Sequence, residues 1–236
     1  MRDQPVADVT YGDGHQSGRF DATDVEDRAM VDQLTSKCSV AVVTEGIGLA
    51  RHFPAGWGVV GRETIIAFDS DVWELLEHDI ESVRTPAWKR GVSNRESVEF
   101  TWALLRHRVT GATLLRVGGH LPAHLYRRAQ RAANLAALRG LGPILRRLIR
   151  DHTPDEVDLS CDFNRELRLR RNRDLIERSV RGVGMPLHLI VPPRSTLRLR
   201  KIEGFVATRG VCTMLDRRRG YDHRGIRRRS IIRHHH

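Results

Sequence analysis

The chain of 236 residues holds 40 basic and 29 acidic side chains, a net charge of +11, and is 40% hydrophobic and 29% charged. That balance excludes a disordered or fibrous chain and allows a domain with a sizeable buried core. No apolar run reaches the roughly 18 residues that a membrane-crossing helix needs, so no membrane span is expected.

In chain order, residues 6–11 are predicted as a first strand, followed by a polar, glycine-containing loop through Arg19. Residues 25–34 have helical character. The apolar run Ser39-Val40-Ala41-Val42-Val43-Thr44 is a central strand that delivers Glu45 at its tip. Gly56-Trp57-Gly58 marks a turn before a strand at 64–68, and the mixed stretch 72–98 shows no clear period. Residues 100–108 and 112–118 form a hairpin around Val109-Thr110-Gly111, and its second arm leads through Gly119 into His120. From 123 to 150 the period turns helical, with Ala129, Ala132, Leu135, Ala136 and Leu138 on one face. Gly140, Gly142 and Pro143 interrupt that helix, and Ile144, Leu145, Leu148 and Ile149 begin a second apolar stripe. A strand from Glu156 runs to Asp162, residues 172–180 are helical, and 201–208 are a strand. Residues 221–229 close the chain, with a basic tail from 227. No repeat or linker divides residues 1–236, so one domain is expected. Strands interrupted by helices point to an α/β (α+β) domain.

Residues 1–5 lack the apolar stretch of a secretory signal, and Cys38, Cys161 and Cys212 are few and without metal-type spacing. A reducing cytoplasm is the expected compartment. Arginine supplies nearly all the positive charge, since Lys37, Lys89 and Lys201 are the only lysines. A GC-rich coding sequence would produce the same bias. The distribution favours a polyanionic partner: acids crowd residues 1–36, while basic clusters fill 127–150 and 165–233. Arg127, Arg128, Arg131 and Arg224 are candidate phosphate contacts.

Two polar motifs far apart carry the chemistry, Cys161-Asp162-Phe163-Asn164 and Tyr221-Asp222-His223-Arg224. Strand alternation puts Asp162 and Asn164 on one face, with Phe163 toward the core; taken alone, the motif also fits an Asx turn. Glu45 alone also fits a strand-end cap, and a lone His120 a structural histidine.

Together, the order Glu45, His120, Asp162-Phe163-Asn164, Asp222-His223 resembles the endonuclease/exonuclease/phosphatase superfamily of deoxyribonuclease-I-like metal-dependent phosphoesterases. The resemblance covers the chain from about residue 6 to 229. It implies a four-layer sandwich, two mixed β-sheets packed face to face with flanking helices. It also implies Mg²⁺, with Mn²⁺ as the alternative, held by Glu45 with Asp222 on the metal side. Asp162 would align or deprotonate the attacking water, Asn164 would donate to the phosphorane, and His120 and His223 would serve the leaving oxygen and the phosphate. Glu63 matches the acid that orients the first histidine, and Glu203 in Arg200-Lys201-Ile202-Glu203 stands for a family aspartate. Thr44, Cys161 and Tyr221 depart from the family's Gln, Gly and Ser. Gly12 stands where the family has a metal-holding Asn at the end of the first strand, leaving the adjacent Asp13 as its substitute. The implied activity is a monomeric magnesium-dependent phosphodiesterase acting on nucleic acid, DNA ahead of RNA. The alternatives are a phosphatase or phospholipase on a small or lipid phosphoester, and a weakened, nucleic-acid-binding relative.

Overall fold

The computed structural model describes residues 9–16, 22–90, 93–123, 127–193, 203–207, 211–214 and 226–232. The described elements begin with β1 (Val9–Gln16), α1 (Asp24–Thr35), β2 (Val40–Val43), a 3-10 helix (Leu49–His52), β3 (Trp57–Gly61) and β4 (Ile65–Asp69). A long hairpin follows, β5 (Trp73–Arg90) and β6 (Ser93–His107), then β7 (Thr113–His120) and α2 (Arg128–His152). The remainder is β8 (Glu156–Asp162), α3 (Arg170–Ser179), β9 (His188–Ile190), β10 (Glu203–Ala207), β11 (Val211–Met214) and β12 (Ile226–Ile232).

The strands make two sheets of order β11-β12-β1-β2-β4-β3 and β5-β6-β7-β8-β10-β9. Both are mixed, because β1 and β2 run parallel, as do β7 and β8, while the other pairs are antiparallel. Alternation along β2 explains the layering. Val40 and Val42 join Tyr11, Ile66 and Phe68 against Ala103, Leu105 and Leu114 of the second sheet. Ala41 and Val43 face the other way, onto Met30, Val31 and Leu34 of α1. The second sheet's outer face, with Trp102, Leu104, Val117 and Leu159, packs on Ala137, Leu141, Leu145 and Leu148 of α2 and Ile176 of α3. The order is therefore helix, sheet, sheet, helices, the four-layer sandwich expected from the resemblance. No helix among the described residues is long and apolar enough to cross a membrane.

Several local expectations are corrected. β1 does not end at Tyr11 but continues to Gln16, because its parallel partner β2 and antiparallel partner β12 satisfy the backbone of the polar Gly12–Gln16 stretch. Trp57 and Gly58 belong to β3, where a bare glycine makes room for the Phe68 ring across the sheet. The patternless 72–98 stretch is mostly the long β5–β6 hairpin, whose exposed face blurs the hydrophobic period. α2 is one continuous helix. Gly140 and Gly142 mark close packing, since an added Cβ would collide with the Val83 side chain at the first and the Ser179 carbonyl at the second. Pro143 is accommodated within the helix, flanked by buried Gly142 and Ile144. The buried face of α2 is Ala133, Asn134, Ala137, Leu138 and Leu141, while Ala129 and Ala132 are exposed. Residues 227–232, expected as part of a basic tail, belong to β12, which lies between β1 and β11, and Arg228 is fully buried.

Candidate active site

The exits of β2, β7 and β8 and the entry to β4 lie at one edge of the sandwich. Glu45 leaves β2 with φ +59°, a left-handed conformation unusual for a side-chain-bearing residue. Its loop is held by the Thr44 N–H donating to the Gln16 carbonyl at 3.0 Å and the Gly46 N–H to the Glu63 carbonyl at 2.7 Å. Glu63 lies in the β3–β4 turn. That turn needs Gly61, which has φ +96° and no space for a Cβ against the Thr64 carbonyl. Thr101 Oγ1 donates to the same Thr64 carbonyl at 2.7 Å, tying the turn to the opposite sheet.

His120 ends β7 in register with Asp162 at the end of β8. Its Nδ1 is 3.9 Å from Glu45 Oε1 and its Nε2 is 3.7 Å from Asp162 Oδ2, so the imidazole stands between two carboxylates. Asp162 is almost wholly buried. Its other oxygen, Oδ1, accepts from the Asn164 N–H at 2.9 Å, and Asn164 has φ +49°. The Asx turn and the candidate motif are thus one arrangement: the turn orients the carboxylate. Asn164 Nδ2 donates to the Leu121 carbonyl at 2.8 Å, joining the loops that follow β7 and β8. Left-handed backbone at two non-glycine positions of one cluster is strain of the kind that concentrates at functional sites.

A residue missed in the sequence supports these loops from behind. Asn134 is fully buried on α2, and its Nδ2 donates to the carbonyls of Pro122 (2.8 Å) and Phe163 (3.0 Å). Its Oδ1 accepts from Arg165 Nε at 2.6 Å. A polar residue amid an apolar helical stripe was the available signal, since a buried amide must find partners. Asn134→Ala is expected to lower stability by about 1–3 kcal/mol, because two carbonyls and a buried guanidinium lose a partner. Urea denaturation measures the loss, and an unchanged midpoint would remove Asn134 from this role.

Arg90, at the end of β5, is the second residue that the sequence did not single out. Its guanidinium is 3.0 Å from Glu45 Oε1 and also contacts Glu63, while Arg95 Nη2 is 3.6 Å from Glu63 Oε2. Glu63 was expected to orient His120; among the described residues its carboxylate is taken by Arg90 and Arg95, with His120 lining the same pocket beside Trp88 and Ser97. Two carboxylates already share one cation at this edge, so the oxygen donors suit a hard divalent ion.

The register also moves the first-strand position. Asp13 pairs with Val40, three residues short of the strand end, while Gln16 pairs with Val43 next to Glu45. The amide-bearing residue at the tip of β1 is therefore Gln16, which is buried. Glu203 starts β10 directly opposite Asp162 on β8. Asp222, His223 and Arg224 lie outside the described residues. Arg127, Arg128 and Arg131 are exposed around the start of α2. Burial, aided by the nearby positive charge of Arg131, lowers the pKa of Arg165, so Arg131 stands close to the loop that carries Asn164.

The fold is that of the deoxyribonuclease-I-like sandwiches, the architecture of the endonuclease/exonuclease/phosphatase proteins. An endonuclease/exonuclease/phosphatase family protein from Bacteroides thetaiotaomicron superposes with a TM-score of 0.72 at 11% identity, covering 98% of this chain and 99% of that one. A mannosyl-6-phosphatase from the same organism gives 0.69 at 10% identity, covering 94% and 99%. Beta toxin from Staphylococcus aureus, in a structure with bound magnesium ions, gives 0.74 at 9% identity, covering 94% and 100%. No protein-family model matches the chain, and no curated protein matches its sequence.

Proposed function

We propose that this protein is a metal-dependent phosphoesterase that hydrolyses nucleic acid, DNA ahead of RNA. The observation that carries this reading is the convergence of Glu45, His120, Asp162 and Asn164, four residues from three separated segments, at one edge of the sandwich. Phosphoester hydrolysis requires an aligned water, neutralised phosphate charge and stabilisation of the leaving oxygen. Asp162, its Oδ1 held by the Asn164 N–H, turns Oδ2 toward the His120 side and there aligns the water and accepts its proton. His120, between Glu45 and Asp162, donates to a phosphate oxygen. Glu45 would hold Mg²⁺ or Mn²⁺, with Gln16 at the tip of β1, whose carbonyl accepts from the Thr44 N–H, as a second candidate oxygen donor; magnesium commonly needs only one or two protein carboxylates and keeps its remaining waters. When bound, the ion would neutralise phosphate charge and polarise the ester. Arg90 stands at the same mouth, where a guanidinium can pair with a phosphate once a metal takes the carboxylates.

Nucleic acid is favoured over a small phosphoester by the charge of +11 and by exposed Arg127, Arg128 and Arg131 around the start of α2, of which Arg131 is close enough to Arg165 to act on its charge. The β12 arginines contribute less than their sequence suggested, because Arg228 is buried against Asp158. Incubation with plasmid DNA and with small phosphomonoesters, with and without chelator, tests the assignment. Mg²⁺-dependent plasmid cleavage supports it; phosphate release from monoesters with intact plasmid would replace it with the phosphatase reading. Gln16→Ala is expected to raise the Mg²⁺ concentration needed for turnover, and Asp13→Ala to leave it unchanged. Substituting Arg127, Arg128 and Arg131 together should flatten the dependence of log affinity on log salt by about one unit for each phosphate that is no longer neutralised. A slope equal to the parent's would exclude these arginines from the DNA path.

A further inference from the structure

A second cluster of metal-ligating groups lies apart from this edge residue set, where the first turn of α1 meets the 3-10 helix. Asp24 and Asp27 come from α1 and His52 from the 3-10 helix, and one ligand atom of each lies within 4.8 Å of the others. His52 Nε2 is 3.7 Å from Asp24 Oδ1 and 3.9 Å from Asp27 Oδ2. Its imidazole and the Asp27 carboxylate are buried, with side-chain exposures of 4% and 1%, whereas Asp24 opens to solvent at 73%. Nε2 has no hydrogen-bond partner among the described residues. A buried ring nitrogen aimed at two carboxylates, yet too distant to hydrogen-bond either, is an anomaly that calls for a further partner.

The spacing suggests which partner. A tetrahedral ion bonded to nitrogen and oxygen at roughly 2.0–2.2 Å holds its ligand atoms about 3.3–3.6 Å apart. The two separations from His52 Nε2, 3.7 and 3.9 Å, are slightly wider than that and beyond hydrogen-bond length, and all three ligand atoms lie within 4.8 Å of one another. We propose that Asp24, Asp27 and His52 bind a divalent transition metal of the zinc class, with water completing its shell. Imidazole nitrogen beside carboxylate selects such an ion over Mg²⁺ or Ca²⁺, which prefer oxygen alone. Two carboxylates balance its charge, and the chain's positive net charge makes this acidic pocket a local exception. Arg51 Nη2, 2.5 Å from Asp24 Oδ1, occupies one ligand oxygen; it is 60% exposed and free to swing into water. The site would fasten the segment that follows Glu45 to α1, a structural role separate from hydrolysis: Leu49 and Phe53 of this segment already pack on Met30 and Val31 of α1.

Zinc binding to the 236-residue chain tests the proposal, in a background where Glu45→Gln and alanine at 234–236 suppress other sites. Equilibrium dialysis should show one more equivalent of Zn²⁺ than in the same protein carrying His52→Gln. The melting temperature should rise by roughly 5–10 °C at a hundredfold excess over Kd. Equal stoichiometry in the two proteins, or no Zn²⁺ retained by the background protein, overturns the site. If His52→Gln does not fold, Asp24→Ala decides the matter, because it alters an exposed side chain. It should weaken Zn²⁺ at least about tenfold, and unchanged affinity overturns the site.

Discussion

Asp162→Ala and His120→Ala should each lower the proposed phosphoester turnover by on the order of 10²–10⁴ while leaving the fold intact, the range typical for removing a proton-transfer or charge-stabilising group. The structure gives the reason for both effects. Asp162 is held by a backbone N–H at one oxygen and faces His120 with the other, so its carboxylate is already oriented and alanine would remove that group outright. His120 stands between Glu45 and Asp162, and its loss would remove the imidazole that lies between the two carboxylates. Steady-state rates on plasmid DNA, with circular dichroism to establish folding, measure the effect. Near-parental rates in both variants would mean that the hydrolytic site lies elsewhere.

Asp158→Ala destabilises the protein by about 3–5 kcal/mol, the range for removing one member of a buried ion pair. Asp158, Arg116 and Arg228 are fully buried between the two sheets. Asp158 Oδ2 lies 3.2 Å from Arg116 Nη1 and 2.5 Å from Arg228 Nη2, one carboxylate shared by two guanidiniums. Arg116 Nη2 also donates to Ser160 Oγ, and both guanidiniums lie within 6 Å of the Phe205 ring. Alanine would leave two desolvated positive charges facing each other with their shared acid removed. The exposed Arg106–Glu74 pair provides the control, where Glu74→Ala should cost less than about 1 kcal/mol. Urea denaturation of both variants makes the comparison, and an Asp158→Ala cost as small as the control's would mean that water reaches this network.

This network also illustrates what distance along the chain conceals. Arg116, Asp158 and Arg228 come from β7, β8 and β12, and nothing local distinguishes Arg228 from its neighbours Arg227 and Arg229, so all three looked like a solvated basic tail. Burial was decided by the pairing of β12 with β1, which turns alternate side chains inward.

The apolar run ending in Glu45, the hairpin arm leading to His120 and the strand closing on Asp162 were legible because each is local: continuous β-branched and apolar residues with a polar residue at the end. The four-layer sandwich was legible only through the order of those motifs. Three features required the tertiary structure. Gln16 reaches the strand tip because β1 runs five residues beyond its apolar part, held by its two partner strands rather than by propensity. Asn134 and Arg90 act across contacts between distant segments, so no spacing rule marks them. The continuity of α2 through Gly140 and Gly142 goes with close packing on Val83 and Ser179, at residues that in isolation read as helix breakers. Sequence alone marked Glu45, His120 and Asp162 as candidates, since residue identity and strand-end position are local properties. Only the fold decided which of them meet, because strand register and layer packing join residues that the chain keeps apart.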